Sequence, residues 1–173
     1  MKITFLGGAG GVTGANHLLE IQKMKMIIDC GLFQSGKFVD ELNHQNFAYD
    51  PSSVQFAFIT HAHLDHVGRL PKLYEHGFRG TIYATEPTCE LARLILEDSC
   101  SVMEHESKDM RHSSGRVRRP FTCKPEVDSV MKLFHAVKYR EKIQLAKVVE
   151  VVFDDAGHIL GSSTIQFTDK KAK

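Results

Sequence analysis

Short apolar runs separated by glycine and polar residues fill the first half of the chain. Residues 2–7 (KITFLG), 17–22 (HLLEIQ) and 25–30 (KMIIDC) each predict a strand, as does 54–60 (VQFAFIT), which is rich in aromatic and β-branched side chains. Residues 68–77 (GRLPKLYEHG) predict a short helix, with Pro71 in its first turn and Gly77 as its stop. A further strand is expected at 80–85 (GTIYAT). Over 86–106, Leu91, Leu94, Ile95, Val102 and Met103 recur at helical spacing behind an early Pro87. The stretch 108–125 is polar and basic and is broken by Gly115, Pro120 and Pro125, so a loop is expected there. Residues 126–138 return to a helical period. The remainder reads as two strands, a loop at 154–162 and a third strand. Strands at both ends with helices between them predict a single α/β domain. Several strands are joined too briefly for parallel crossovers, so the expected sheet is mostly antiparallel or mixed, with helices on one face.

Composition narrows this picture only slightly. The 173 residues are 42% hydrophobic and 25% charged, with a formal net charge of +1. These are globular values, and bulk charge selects neither nucleic acid nor membrane. No apolar run reaches the roughly 20 residues a membrane span needs. The N-terminal apolar run is too short for a signal-peptide core, and Cys30, Cys89, Cys100 and Cys123 form no C-x-x-C pair. A cytoplasmic protein with scattered thiols is therefore expected.

Candidate chemistry concentrates at ITHAHLDHVG, residues 59–68. In an extended segment side chains alternate faces, so His61 and His63 point the same way and their imidazoles can converge on one ion. Asp65 and His66 follow where the chain turns and can address a second point nearby. Imidazole and carboxylate donors suit zinc first, then manganese or iron. The glycine-rich GGAGGVTGAN at 7–16 lacks both the Gly-Lys-Ser/Thr of a P-loop and the third glycine of G-x-G-x-x-G, so it reads as a tight turn.

The pattern H-x-H-x-D-H-x-G (His61, His63, Asp65, His66, Gly68) resembles the metallo-β-lactamase superfamily. DDAGHILGSS at 154–163 is similar to the third metal-binding motif of its β-CASP nuclease branch. That resemblance implies His158 as a further ligand at the first metal. It also implies that Asp29, at the end of KMIIDC, hydrogen-bonds the histidine loop. The implied fold is part of an αββα sandwich. The implied activity is that of a zinc-dependent phosphodiesterase, a ribonuclease acting internally, 5′–3′ from an end, or both, with Asp65 a ligand that also handles a proton.

The family pattern further implies a later bridging aspartate and a cap domain, which this sequence does not show; Asp169 sits in the turn-like TDKKAK and is not expected to substitute. Residues 1–173 are accordingly expected to form the N-terminal portion of such a domain, truncated before its C-terminal half. It would hold one zinc rather than the two of a complete member, with weak or no activity of its own. The basic stretch, with Arg116, Arg118 and Arg119, is the candidate RNA contact. Two other readings stay open: a related hydrolase of thioesters, lactams or lactones, and a non-catalytic metal- or RNA-binding module.

Overall fold

Strand alternation sorts the side chains of a sheet onto two faces, and here each face is covered by a different layer. The structure is a computed structural model that describes residues 1–34, 38–114 and 124–170. β1 (Lys2–Gly7), β2 (Asn16–Ile21), β3 (Met24–Ile28), β4 (Phe56–Phe58), β5 (Thr81–Thr85) and β6 (Phe134–Val137) lie side by side in that order. The first two ladders are antiparallel and the three from β3 to β6 are parallel. The expected mixed sheet is thus present, and its parallel half arises because helices bridge successive strands. A second, antiparallel sheet holds β7 (Ile143–Leu145), β8 (Val149–Asp155) and β9 (Ser163–Asp169).

The helices are α1 (Val39–His44), α2 (Leu64–Val67), α3 (Leu70–Glu75), α4 (Glu86–Ser114) and α5 (Lys124–Met131). On one face of the large sheet, Leu18, Ile27, Ala57, Ile82 and Ala84 pack with α3, α4 and α5 through Leu70, Leu73, Ala92, Leu96, Val127 and Val130. On the other, Leu19, Met26, Phe58 and Val137 pack against Leu145, Val149, Val151 and Phe153 of the small sheet. Phe58 is fully buried there, stacked on Tyr83 at 5.4 Å and met edge-on by Phe167 at 5.0 Å. Each such buried side chain contributes about 1.5–3 kcal/mol, which ties the two sheets together around β4.

Two expectations change. The helix expected over 126–138 ends at Met131, and Phe134–Val137 is instead strand β6, paired with β5. Phe134 packs into the helix-side core and Val137 into the core between the sheets. Residues three apart on a helix share one face, so a strand alone lets the two pack on opposite sides of the sheet. Of the loop expected over 108–125, residues 108–114 are instead the end of α4, and 115–123 lie outside the described residues. Nothing in ESKDMRHSS breaks a helix, and Gly115 is the first residue that would.

The parallel strands β3, β4 and β5 end along one rim of the sheet. In such sheets the crevice beyond the carboxyl ends is where ligands bind. The segment 61–66 leaves that rim after β4, and the 156–162 loop between β8 and β9 meets it from the second sheet.

Candidate metal centre

The segment 61–66 is fixed from behind by 30–32, which runs against it like an extra strand. Cys30 N donates to the His66 carbonyl at 2.8 Å and Leu32 N to the Leu64 carbonyl at 3.0 Å. Ala15 N, from the glycine-rich turn, donates to the Asp65 carbonyl at 2.9 Å, so that turn braces the segment. The 156–162 loop is joined to the same rim by Ser163 N, which donates to the Thr60 carbonyl at 2.8 Å.

These connections bring His61, His63 and His158 together. Their facing ring nitrogens all lie within 4.8 Å of one another. His63 Nδ1 is 3.1 Å from His61 Nε2 and 3.2 Å from His158 Nε2. His61 is buried, whereas His63 and His158 face solvent. Asp65 and His66 stand beside this trio, not within it. Their Oδ2 and Nε2 are 3.6 Å apart, and the His66 ring lies 3.9 Å from that of His61. Asp169 ends β9 opposite Val149, at the far end of the strand from Ser163, with Gln22 Nε2 donating to it.

Asp29 organises the histidines from the end of β3. It occupies the left-handed region (φ 58°), which lets the chain turn out of the strand. Its carboxylate accepts from Thr60 N, from Thr60 Oγ1 and from His66 Nδ1, each at 2.8 Å. The Thr60 hydroxyl spends its proton on Asp29, so its oxygen accepts from His61 Nδ1 at 2.9 Å. That relay sets the His61 tautomer with the Nε2 lone pair aimed at the trio. It sets His66 likewise, with Nε2 aimed toward Asp65. Thr60 does not stand out in the sequence by ligand spacing. Its signal is a hydroxyl residue placed immediately before the first ligand-spaced histidine. Ser162 is equally inconspicuous in the sequence: its Oγ accepts from the backbone of His158 at 3.0 Å and of Ile159 at 3.2 Å, shaping the loop.

Charge follows the same division. Burial, with help from the neighbouring His66, lowers the His61 pKa to about 4, so this imidazole is neutral at physiological pH. Burial also works against a charged His66, but the hydrogen bond and the charge of Asp29 outweigh it and raise its pKa above the ordinary value. In metal-free protein, nitrogen-15 spectra of the imidazoles should show His66 gaining its proton above pH 6.5 while His61 stays neutral down to pH ~5. Titration of both together near pH 6.5 would contradict the burial of His61 and the hydrogen bond that His66 donates to Asp29.

The donor set fits a cation. His63 Nδ1 carries either one proton or one lone pair, so it cannot bond well to both facing nitrogens at once. A central ion resolves that conflict. Tetrahedral zinc holds nitrogens ~3.3 Å apart, given Zn–N lengths near 2.0–2.1 Å. Of the residues expected to serve the site, the structure brings together Asp29, His61, His63, Asp65, His66 and His158. Arg116, Arg118 and Arg119 lie outside the described residues.

Residues 18–173 match the metallo-beta-lactamase superfamily domain, and the chain belongs to that superfamily. Its relatives are those of the β-CASP branch that the second motif pointed to. Among them, ribonuclease TTHA0252 of Thermus thermophilus is 36% identical over 165 residues, covering 95% of this chain and 34% of the relative. Transcription termination factor FttA of Methanosarcina mazei is 31% identical over 172 residues, covering 96% and 25%. Integrator complex subunit 11 of Gallus gallus is 26% identical, covering 96% and 27%. The chain thus spans about a third or a quarter of the length of these relatives. A B3 metallo-beta-lactamase with an active-site glutamic acid shares the fold, with a TM-score of 0.57 at 18% identity over 98% of this chain and 56% of that one. Among the described residues, no helix is long and apolar enough to cross a membrane.

Proposed function

We propose that this domain serves a zinc-dependent phosphodiesterase that cleaves RNA, internally, 5′–3′ from an end, or both. The observation that carries the proposal is the convergence of His61, His63 and His158 on one point at the solvent-facing rim. These residues would hold one ion through Nε2, Nδ1 and Nε2, and Asp65 with His66 would address a second beside it. Bound zinc supplies Lewis-acid chemistry, lowering the pKa of water and offsetting charge on phosphoryl oxygens.

The chain's own residues do the positioning. Asp29 orients His66 directly and His61 through Thr60. Asp65 is the proposed catalytic carboxylate: beside the trio as a ligand, it would also take a proton from the attacking water. The exposed edges of His63 and His158 leave the solvent side open to a phosphodiester. The basic stretch with Arg116, Arg118 and Arg119 would supply salt-dependent contacts to the RNA backbone. Phosphodiester chemistry is favoured over thioester, lactam or lactone hydrolysis because a relative at 36% identity is named a ribonuclease, whereas the B3 lactamase likeness at 18% speaks to fold alone.

Cleavage of an end-labelled RNA by the zinc-loaded full-length enzyme that carries this domain is expected to fall more than about 100-fold in His63→Ala, beyond what loss of an outer partner costs. Equal cleavage by the variant, or turnover of a thioester in place of RNA, would overturn the proposal.

A further inference from the structure

The 156–162 loop carries His158 but has little packing of its own. Ala156, Gly157, His158 and Leu160 are exposed, Leu160 to 72%. What is buried is its closing segment, Gly161, Ser162 and Ser163. The Gly161 carbonyl points into the junction between β5 and α4, where Thr85 ends the strand and Thr88 lies in the first turn of the helix. Both threonines are buried, at 2% and 0% exposure. The Gly161 oxygen lies 2.6 Å from Thr85 Oγ1 and 2.9 Å from Thr88 Oγ1, and the two hydroxyl oxygens lie 2.9 Å from each other. Two hydroxyl protons thus serve a closed triangle of three contacts, which holds a carbonyl three residues from His158.

The fit leaves no slack. Gly161 is in the left-handed region (φ 80°), and a Cβ there would lie 2.7 Å from Thr88 N and 2.8 Å from each threonine hydroxyl. The next carbonyl, Ser162, accepts from Tyr139 OH at 2.8 Å and from Ala156 N at 3.1 Å. Ser162 Oγ in turn holds the backbone of His158. The loop is therefore located by polar bonds to its carbonyls and not by a buried apolar side chain at its tip.

We propose that Thr85 and Thr88 are positioning residues for His158: their paired hydroxyls grip the Gly161 carbonyl and so set where the third imidazole meets His61 and His63. This rests on the reading of His158 as a metal ligand. Neither threonine belongs to a ligand-spaced motif, and both reach the site across more than 70 positions of sequence.

The test is zinc affinity of the 173-residue chain by competition with a chromophoric chelator, with the cobalt(II) visible spectrum as a second readout of ligand geometry. Thr85→Val/Thr88→Val is expected to weaken zinc binding about 10- to 100-fold and to shift the cobalt band. Thr85→Ser/Thr88→Ser, which keeps both hydroxyls, is expected to restore both. In a His158→Ala background the valine pair is expected to add no further loss. Unchanged affinity in the valine pair, or an equal loss in the His158→Ala background, would overturn the proposal, since the threonines would then not act through His158. If His158→Ala alone leaves zinc affinity unchanged, the ligand reading itself fails and the clamp falls with it. Should the double variant not fold, Thr88→Val alone carries the same comparison.

Discussion

Gly31→Ala is expected to cost more than about 3 kcal/mol of stability and to disable the metal centre with it. A Cβ at Gly31 would sit 1.5 Å from the Asp65 carbonyl oxygen and 2.0 Å from its carbon. Those are backbone atoms, so no rotamer change can make room. The two segments cannot separate cheaply either. Gly31 N donates to the Ala15 carbonyl, its own carbonyl accepts from the buried Arg69 Nε at 2.6 Å, and its neighbours Cys30 and Leu32 are bonded to His66 and Leu64. Relief of the clash must therefore displace 64–66, the segment that carries Asp65 and His66. Urea unfolding of metal-free protein and zinc affinity should fall together. A variant with a near-wild-type midpoint would mean the two segments are not packed this closely.

Asp29→Ala is the second large effect. It removes one carboxylate that accepts three bonds, from Thr60 N, Thr60 Oγ1 and His66 Nδ1. Leaving a buried donor without a partner costs about 1–3 kcal/mol. The tautomers of His61 and His66 are then no longer fixed, which is expected to weaken zinc about 10- to 100-fold. Asp29→Asn separates the two losses. It tolerates the left-handed backbone and keeps one acceptor oxygen, so stability should largely return, but it cannot accept all three bonds. Zinc affinity in the asparagine variant equal to wild type would contradict the orienting role of the carboxylate.

Much of the site is legible in the sequence because ligand spacing is a local property. His61 and His63 follow from strand alternation, and Asp65 and His66 from the turn that follows. His158 is 95 positions from His63, and only the G-H-x-x-G-S context singles it out. What could not be read is the layer of polar residues behind the ligands. Thr60, Thr85, Thr88 and Ser162 are ordinary residues whose meaning comes from which carbonyl or imidazole lies opposite them in space. The same is true of β6. FHAV has no strong strand pattern, and its conformation is decided by the open edge of β5 and by two cores on opposite sides of the sheet. Arg69 and Lys72 are a further case. Both are buried cations, held over the Phe47 ring and by the carbonyls of Gly31, Asn43 and Gln45, a use that charge counting along the chain would assign to the surface.

Zinc content per chain, measured by elemental analysis after dialysis against a small excess of zinc, bears most directly on the proposed centre. The wild-type chain should retain at least one zinc, and His61→Ala/His63→Ala/His158→Ala should retain none at that site. Wild-type protein that returns from dialysis without zinc, or a triple variant that holds as much as wild type, would contradict a metal centre built from these three histidines.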